Sequence, residues 1–160
     1  MIPWNANGAT RAHQASAIPF RHTFDGLEFC LITSMSGRWG FPKGTIEPDE
    51  TYGETTLKEA REEAGLKGHL LGEPLGCYRV FKYGRWNTVV VSLMEVTDWD
   101  EIWQESHLRQ RRWVRLDEAR RLLCRPRLRM FLEAAAARLN VTARRAPAQG
   151  CAPPRCGAAH

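Results

Sequence analysis

The chain has 160 residues, 43% of them hydrophobic with six Trp, and carries 23 Lys plus Arg against 18 Asp plus Glu. The charge is split: residues 1–108 hold 10 basic and 15 acidic side chains, whereas residues 109–160 hold 13 basic ones, all Arg, and 3 acidic. That balance excludes a wholly disordered chain, and no apolar run approaches the roughly 20 residues of a membrane helix, so one domain with a real core and no membrane partner is expected. Met1 to His13 shows no apolar stretch behind a basic start, so no secretory signal is read there, and residues 1–13 are expected to be a flexible leader. Ala17–Arg21 and Leu27–Thr33 are apolar, β-branched-rich runs on either side of Asp25-Gly26, a hairpin signal. Ser34–Lys43 reads as a loop. Glu50–Ala64 reads as a helix: Thr51 and Glu54 form a capping box, Glu54 and Lys58 an i,i+4 pair, and Gly65 the stop. Leu75–Lys82 and Thr88–Val96 are strand-like, Asp98–His107 is a Trp-containing acidic loop, and Gln110–Leu116 alternates as a strand. Asp117–Leu123 is a short helix, and Pro126 sits at the first position of a last helix carrying Leu128, Phe131, Leu132, Ala135 and Leu139 at helical spacing. This order predicts an α+β fold, a mixed sheet covered by helices, over residues 14–140. Residues 141–160, rich in Arg, Ala and Pro, are expected to be a disordered tail.

Five cysteines (Cys30, Cys77, Cys124, Cys151 and Cys156) are an odd number without a CxxC pair. Reduced thiols in a cytoplasmic protein are expected, not a disulfide framework or a zinc site. The Arg-rich end fits either a polyanionic partner such as nucleic acid or an ordinary solvated surface.

Chemistry concentrates between Gly44 and Leu66. Glu59, Glu62 and Glu63 stand at i, i+3 and i+4, so three carboxylates share one helix face. Like charges at that spacing cost an isolated helix roughly 0.2–0.5 kcal/mol per pair. Hard cations such as Mg²⁺ or Mn²⁺ would compensate, as would plain solvation. Leu57, Ala60 and Ala64 form the opposite, small-residue face, and Pro42-Lys43-Gly44 is a turn that can bring a backbone carbonyl and Lys43 toward the carboxylates.

The pattern of Gly44, five residues, Glu50, seven residues, then Lys58-Glu59-Ala60-any-Glu62-Glu63-any-Gly65-Leu66 resembles the Nudix box, with Lys58 where the family has Arg. The resemblance runs from about Ala15 to Leu139. It is most like the diphosphoinositol polyphosphate and diadenosine polyphosphate hydrolases, through Arg38-Trp39-Gly-Phe-Pro-Lys-Gly44 and Arg109-x-Arg-x-Trp113. It implies a Nudix-type α/β/α sandwich and Mg²⁺-dependent (or Mn²⁺-dependent) hydrolysis of a pyrophosphate linkage in a nucleoside-diphosphate-X type substrate. A dinucleoside polyphosphate or an inositol pyrophosphate comes first. Alternatives are an oxidised nucleotide, an RNA 5′ end, or a non-catalytic nucleotide- or RNA-binding module. By the same resemblance Glu59 and Glu63 would bind metal with a carbonyl of Lys43 or Gly44, and Glu62 would be the general base. Lys in place of Arg at position 58 would weaken the orientation of Glu59. Arg21, Arg38, Lys43, Arg85, Arg109 and Arg125 fall where substrate phosphates would be held, each also readable as a solvated cation. The assembly is expected to be a monomer or homodimer.

Overall fold

The computed structural model describes Ile2 and residues 11–145. Its elements are β1 (Gln14–Thr23), β2 (Gly26–Thr33), β3 (Trp39–Gly40), β4 (Lys43–Thr45), α1 (Tyr52–Ala64), β5 (Leu66–Leu70), β6 (Gly76–Lys82), β7 (Arg85–Trp99), β8 (Arg111–Val114), α2 (Leu116–Leu122) and α3 (Pro126–Arg145). The strands form one mixed sheet in which β1 and β7 run parallel and the other pairs antiparallel. Its two longest strands are shared. Along β1, the first residues pair with β4 and the last with β2; along β7, the first residues pair with β6 and the last with β5.

Side-chain alternation along these strands builds two cores. Ala17, Cys30, Ile32, Met94 and Val96 pack with Ala60 and Ala64 of α1. Ile18, Phe20, Phe29, Leu31, Val91 and Leu93 pack with Leu128, Phe131, Leu132, Ala135 and Leu139 of α3. Each large side chain buried this way contributes roughly 1.5–3 kcal/mol. The result is the mixed sheet covered by helices that the order of elements predicts, in the α/β/α sandwich that the resemblance implies.

Three segments differ from the sequence reading. The predicted loop Ser34–Lys43 contains the two-residue strand β3 and the start of β4, whose pairing partners lie in β2 and β1. Strand β5, only five residues long, is absent from the sequence reading and pairs along β7. The last helix continues past residue 140 to Arg145, so residues 141–145 of the expected tail are helical. Of the expected leader, Ile2 bridges Cys77 and the His13 amide donates to the Thr88 carbonyl. The rest of the leader and tail lies outside the described residues.

Hairpin β6–β7 turns on Tyr83 (φ 54°) and Gly84 (φ 72°), both left-handed. That is the backbone a two-residue type I′ turn demands. For Tyr83 it costs roughly 1–2 kcal/mol. Buried Asn87 braces the turn by donating to the carbonyls of Lys82 and Arg85, both at 3.1 Å.

Candidate active site

Local signals fix where α1 begins and ends, and therefore where its carboxylates point. The Thr51 hydroxyl accepts from the Glu54 amide at 3.2 Å, and the Glu54 carboxylate accepts from the Thr51 amide at 2.8 Å. Gly65 ends the helix in the left-handed region (φ 67°), where a Cβ would also lie 2.8 Å from Cβ of Trp103. Glu54 is thus consumed by the cap, and the predicted Glu54–Lys58 pair is replaced by another. Lys58 Nζ reaches back to the Glu50 carboxylate at 2.6 and 2.8 Å, and Glu50 also accepts from the Thr55 hydroxyl at 2.7 Å.

Glu63 is buried and engaged at both oxygens. One accepts from the Lys43 amide at 2.9 Å, which ties the Pro42-Lys43-Gly44 segment to this carboxylate. The other pairs with Arg109, whose guanidinium also binds Glu105 and donates to the Thr33 carbonyl at 3.1 Å. Burial raises the Glu63 carboxyl above its ordinary range, while the Lys43 amide and Arg109 pull it back.

Glu59 differs. Among the described residues its carboxylate forms no hydrogen bond or ion pair. It lies against Gly44 so closely that a Cβ there would come within 1.9 Å of its Cδ. Burial first, then repulsion from Glu63 and Glu62, pushes this carboxyl up from 4.5 to about 7, with only Lys58 opposing. Glu62 is half-buried and lines a separate hollow of about 630 Å³ with Leu57, Arg61 and Trp103.

The loop before β8, whose part sequence reasoning did not identify, locks the helix end. Trp103 Nε1 donates to the Glu63 carbonyl at 2.9 Å, and the Glu105 amide donates to the Glu62 carbonyl at 3.2 Å. The Arg111 guanidinium donates to the carbonyls of Ala64 (2.7 Å) and Asp100 (2.8 Å) and lies over the Trp103 ring at 4.5 Å. These groups satisfy carbonyls that a helix C-terminus leaves open, with a cation at its negative end.

Glu63 and Gly44 open onto a cleft of about 530 Å³ whose cations are Arg38, Lys43, Lys82, Arg109 and Arg125. Burial, then Lys82 and Arg125 against the pull of Glu63 and Glu59, holds the Lys43 ammonium below its ordinary 10.5. Of the predicted phosphate ligands, Arg38, Lys43, Arg109 and Arg125 therefore share the cleft, though Arg109 is committed to two carboxylates. Two do not reach it. Arg21 pairs with Glu28 at 2.8 Å and stacks on Trp99 and Trp113, because its position on β1 faces those rings. Arg85 is exposed at the end of the β6–β7 hairpin, outside the cleft lining. Lys82 and Tyr78 line the cleft instead; both belong to β6, whose pairing with β7 sets which of its side chains face inward.

Among the described residues no three His, Cys, Asp or Glu side chains form a ready-made cage for an ion. The donor chemistry still fits a hard divalent cation. Glu59 is a half-buried carboxylate without a partner, repelled by two neighbouring carboxylates, and every donor on this face of α1 is oxygen.

A model of the NUDIX domain matches residues 14–135. Nudix hydrolase 4 of Arabidopsis thaliana is 38% identical over 112 residues, 68% of this chain and 53% of that protein. The asymmetrical bis(5′-nucleosyl)-tetraphosphatase of Sus scrofa is 36% identical over 99 residues, 58% of this chain and 67% of that protein. The chain thus spans about half to two thirds of the length of these relatives. A crystal structure of the C. elegans Ap4A hydrolase superposes with a TM-score of 0.67 at 20% identity, over 81% of this chain and 99% of that one, which shows the shared fold.

Proposed function

The chain belongs to the Nudix family, and on that premise we propose that it hydrolyses a pyrophosphate linkage with a divalent cation, Mg²⁺ or Mn²⁺, bound at α1. The observation that carries this reading is a juxtaposition: an unpartnered Glu59 carboxylate packed on Gly44, beside a cleft that gathers Lys43, Lys82 and Arg125, with Lys82 and Arg125 both disfavouring the charge on Lys43. Crowded cations are a standing cost that a polyphosphate relieves.

Glu59, Glu63 and Glu62 would hold the cation, which when bound neutralises phosphate charge and acidifies water. Glu62, with no ion-pair partner among the described residues, accepts the proton of the attacking water. The new bond joins water oxygen to phosphorus, and the bridging P–O bond breaks. Arg38, Lys43, Lys82 and Arg125 orient the phosphates; positioning and electrostatics carry most of such chemistry. Arg109 acts as a positioning residue through Glu63 and Glu105.

Among substrates, a dinucleoside polyphosphate has the support of a relative's name, asymmetrical bis(5′-nucleosyl)-tetraphosphatase. An inositol pyrophosphate is the second reading, supported by the number of cations in the cleft. An odd number of cysteines without a CxxC pair fits a reducing compartment such as the cytoplasm. The test is a product assay with Mg²⁺ over diadenosine polyphosphates, inositol pyrophosphates, nucleotide sugars, oxidised dGTP and 5′-triphosphate RNA, with Glu62→Gln alongside. Turnover of the diadenosine compounds above the others is expected. Wild-type turnover by Glu62→Gln would overturn its assignment as base.

A further inference from the structure

Apart from Lys82, which lines the cleft, hairpin β6–β7 carries a surface that the hydrolytic reading does not use. Strand β1 pairs with β7 only from Val89 onward, so the tip, Val80–Asn87, projects past the β1 edge. Three aromatic rings there are in solvent: Phe81 is 59% exposed, Tyr83 84% and Trp86 55%. A projecting tip is the place where burial would reward such rings least, and Tyr83 occupies a left-handed turn position better suited to Asn, Asp or Gly. The rings are braced rather than loose. Phe81 and Trp86 are cross-strand partners, edge to face at 5.4 Å, and Asn87 pins the turn beneath them.

Cations interleave with the rings. Arg79 lies over Trp86 at 5.2 Å and Lys82 over Tyr83 at 4.7 Å, while Arg85 is the cross-strand partner of Lys82. Among the described residues none of the three forms an ion pair, and the sequence holds no Asp or Glu between Glu73 and Glu95. At the base of the hairpin Arg127 donates to the Arg79 carbonyl at 3.1 Å, so the cation row continues onto α3.

We propose that the β6–β7 hairpin binds single-stranded nucleic acid, its exposed rings stacking on bases while its unpaired cations meet phosphates. Stacking is indifferent to sequence because every base has a π-face, and alternating rings and charges match a strand of alternating bases and phosphates. The same alternation disfavours insertion into a lipid surface. Phe81 and Trp86 fall on one face of the hairpin and Lys82 and Arg85 on the other, so neither face is wholly apolar. The inference is independent of the hydrolytic reading, since binding needs neither a metal nor turnover.

The test is fluorescence anisotropy of a labelled oligouridine of about 12 nucleotides, without 5′ phosphate, titrated with the full chain at low and high salt. Binding that weakens steeply with salt is expected. Trp86→Ala should weaken it about 10-fold, and Arg85→Glu should weaken it and flatten the salt dependence. Both variants should retain the wild-type melting temperature and wild-type cleavage of a small pyrophosphate. Arg121→Glu, the same charge change on α2, should leave the affinity at the wild-type value. The proposal fails if the oligouridine does not bind at low salt, or if Arg121→Glu costs as much as Arg85→Glu. It also fails if Trp86→Ala binds normally, or if phosphatidylserine vesicles bind the hairpin and the RNA does not.

Discussion

Replacing Gly44 by Ala would put a methyl carbon 1.9 Å from Cδ and 2.0 Å from Oε1 of Glu59. Ordinary contact begins near 3.4 Å, so the carboxyl group must move by about 1.5 Å. What gives way is the end of a side chain, and Gly44 does not occupy the left-handed region, so the backbone of β4 accepts Ala without strain. The two consequences therefore separate. Stability should change little, with a melting temperature lowered by less than about 4 °C, equivalent to about 1 kcal/mol for a chain of this size. Catalysis should fall much further, because misplacing a reacting or metal-holding group by about 1 Å costs on the order of 100-fold, near 2.7 kcal/mol in the barrier. The assay is kcat/KM for diadenosine tetraphosphate with Mg²⁺, set beside differential scanning fluorimetry of the same preparations. Wild-type turnover by a folded Gly44→Ala protein would refute the claim that the position of Glu59 against Gly44 matters to the reaction.

Arg109→Ala should destabilise the fold by about 3 kcal/mol, because it strands Glu63 and Glu105 with their partner removed; the shift in urea midpoint measures it. Gly65→Ala should cost about 1–3 kcal/mol from the left-handed backbone alone and more from contact with Trp103, read as a lowered melting temperature. The pH dependence follows from Glu59, which ionises near 4.5 in the unfolded chain and near 7 in the folded one. Between these values the folded state holds the extra proton, so the metal-free protein should lose stability as pH rises through that window. Glu59→Gln should flatten this slope, and saturating Mg²⁺ should restore stability above pH 7; chemical denaturation at pH 5 and pH 7.5 checks both.

The helix that organises the site was legible because its signals are local. Thr51, Glu54 and Gly65 sit within one turn of its ends, and Ala60 and Ala64 mark its buried face without reference to the rest of the chain. Strands β3, β4 and β5 were not legible, since two to five residues carry little periodicity and their partners lie elsewhere in the sequence. The same distinction runs through the site. The three carboxylates follow from spacing alone. What each of them touches does not, because Lys43 and Arg109 reach the Glu63 carboxylate from 20 and 46 residues away. Arg21 and Arg85 show the limit for single cations: a basic residue near the right motif is placed by strand alternation, and one strand position decides between a cleft and a Trp face. Arg111 shows the converse. In the sequence it is one Arg among many, and in the fold it closes the C-terminus of α1.

The central claim, that the carboxylates of α1 hold a divalent cation for pyrophosphate cleavage, is tested most directly by the Mg²⁺ dependence of diadenosine tetraphosphate hydrolysis for the wild type and Glu59→Gln. Saturable activation by Mg²⁺ from a zero rate in chelator is predicted, with Glu59→Gln losing most of the rate at every Mg²⁺ concentration. Turnover in chelator, or the same Mg²⁺ curve for both proteins, would contradict it.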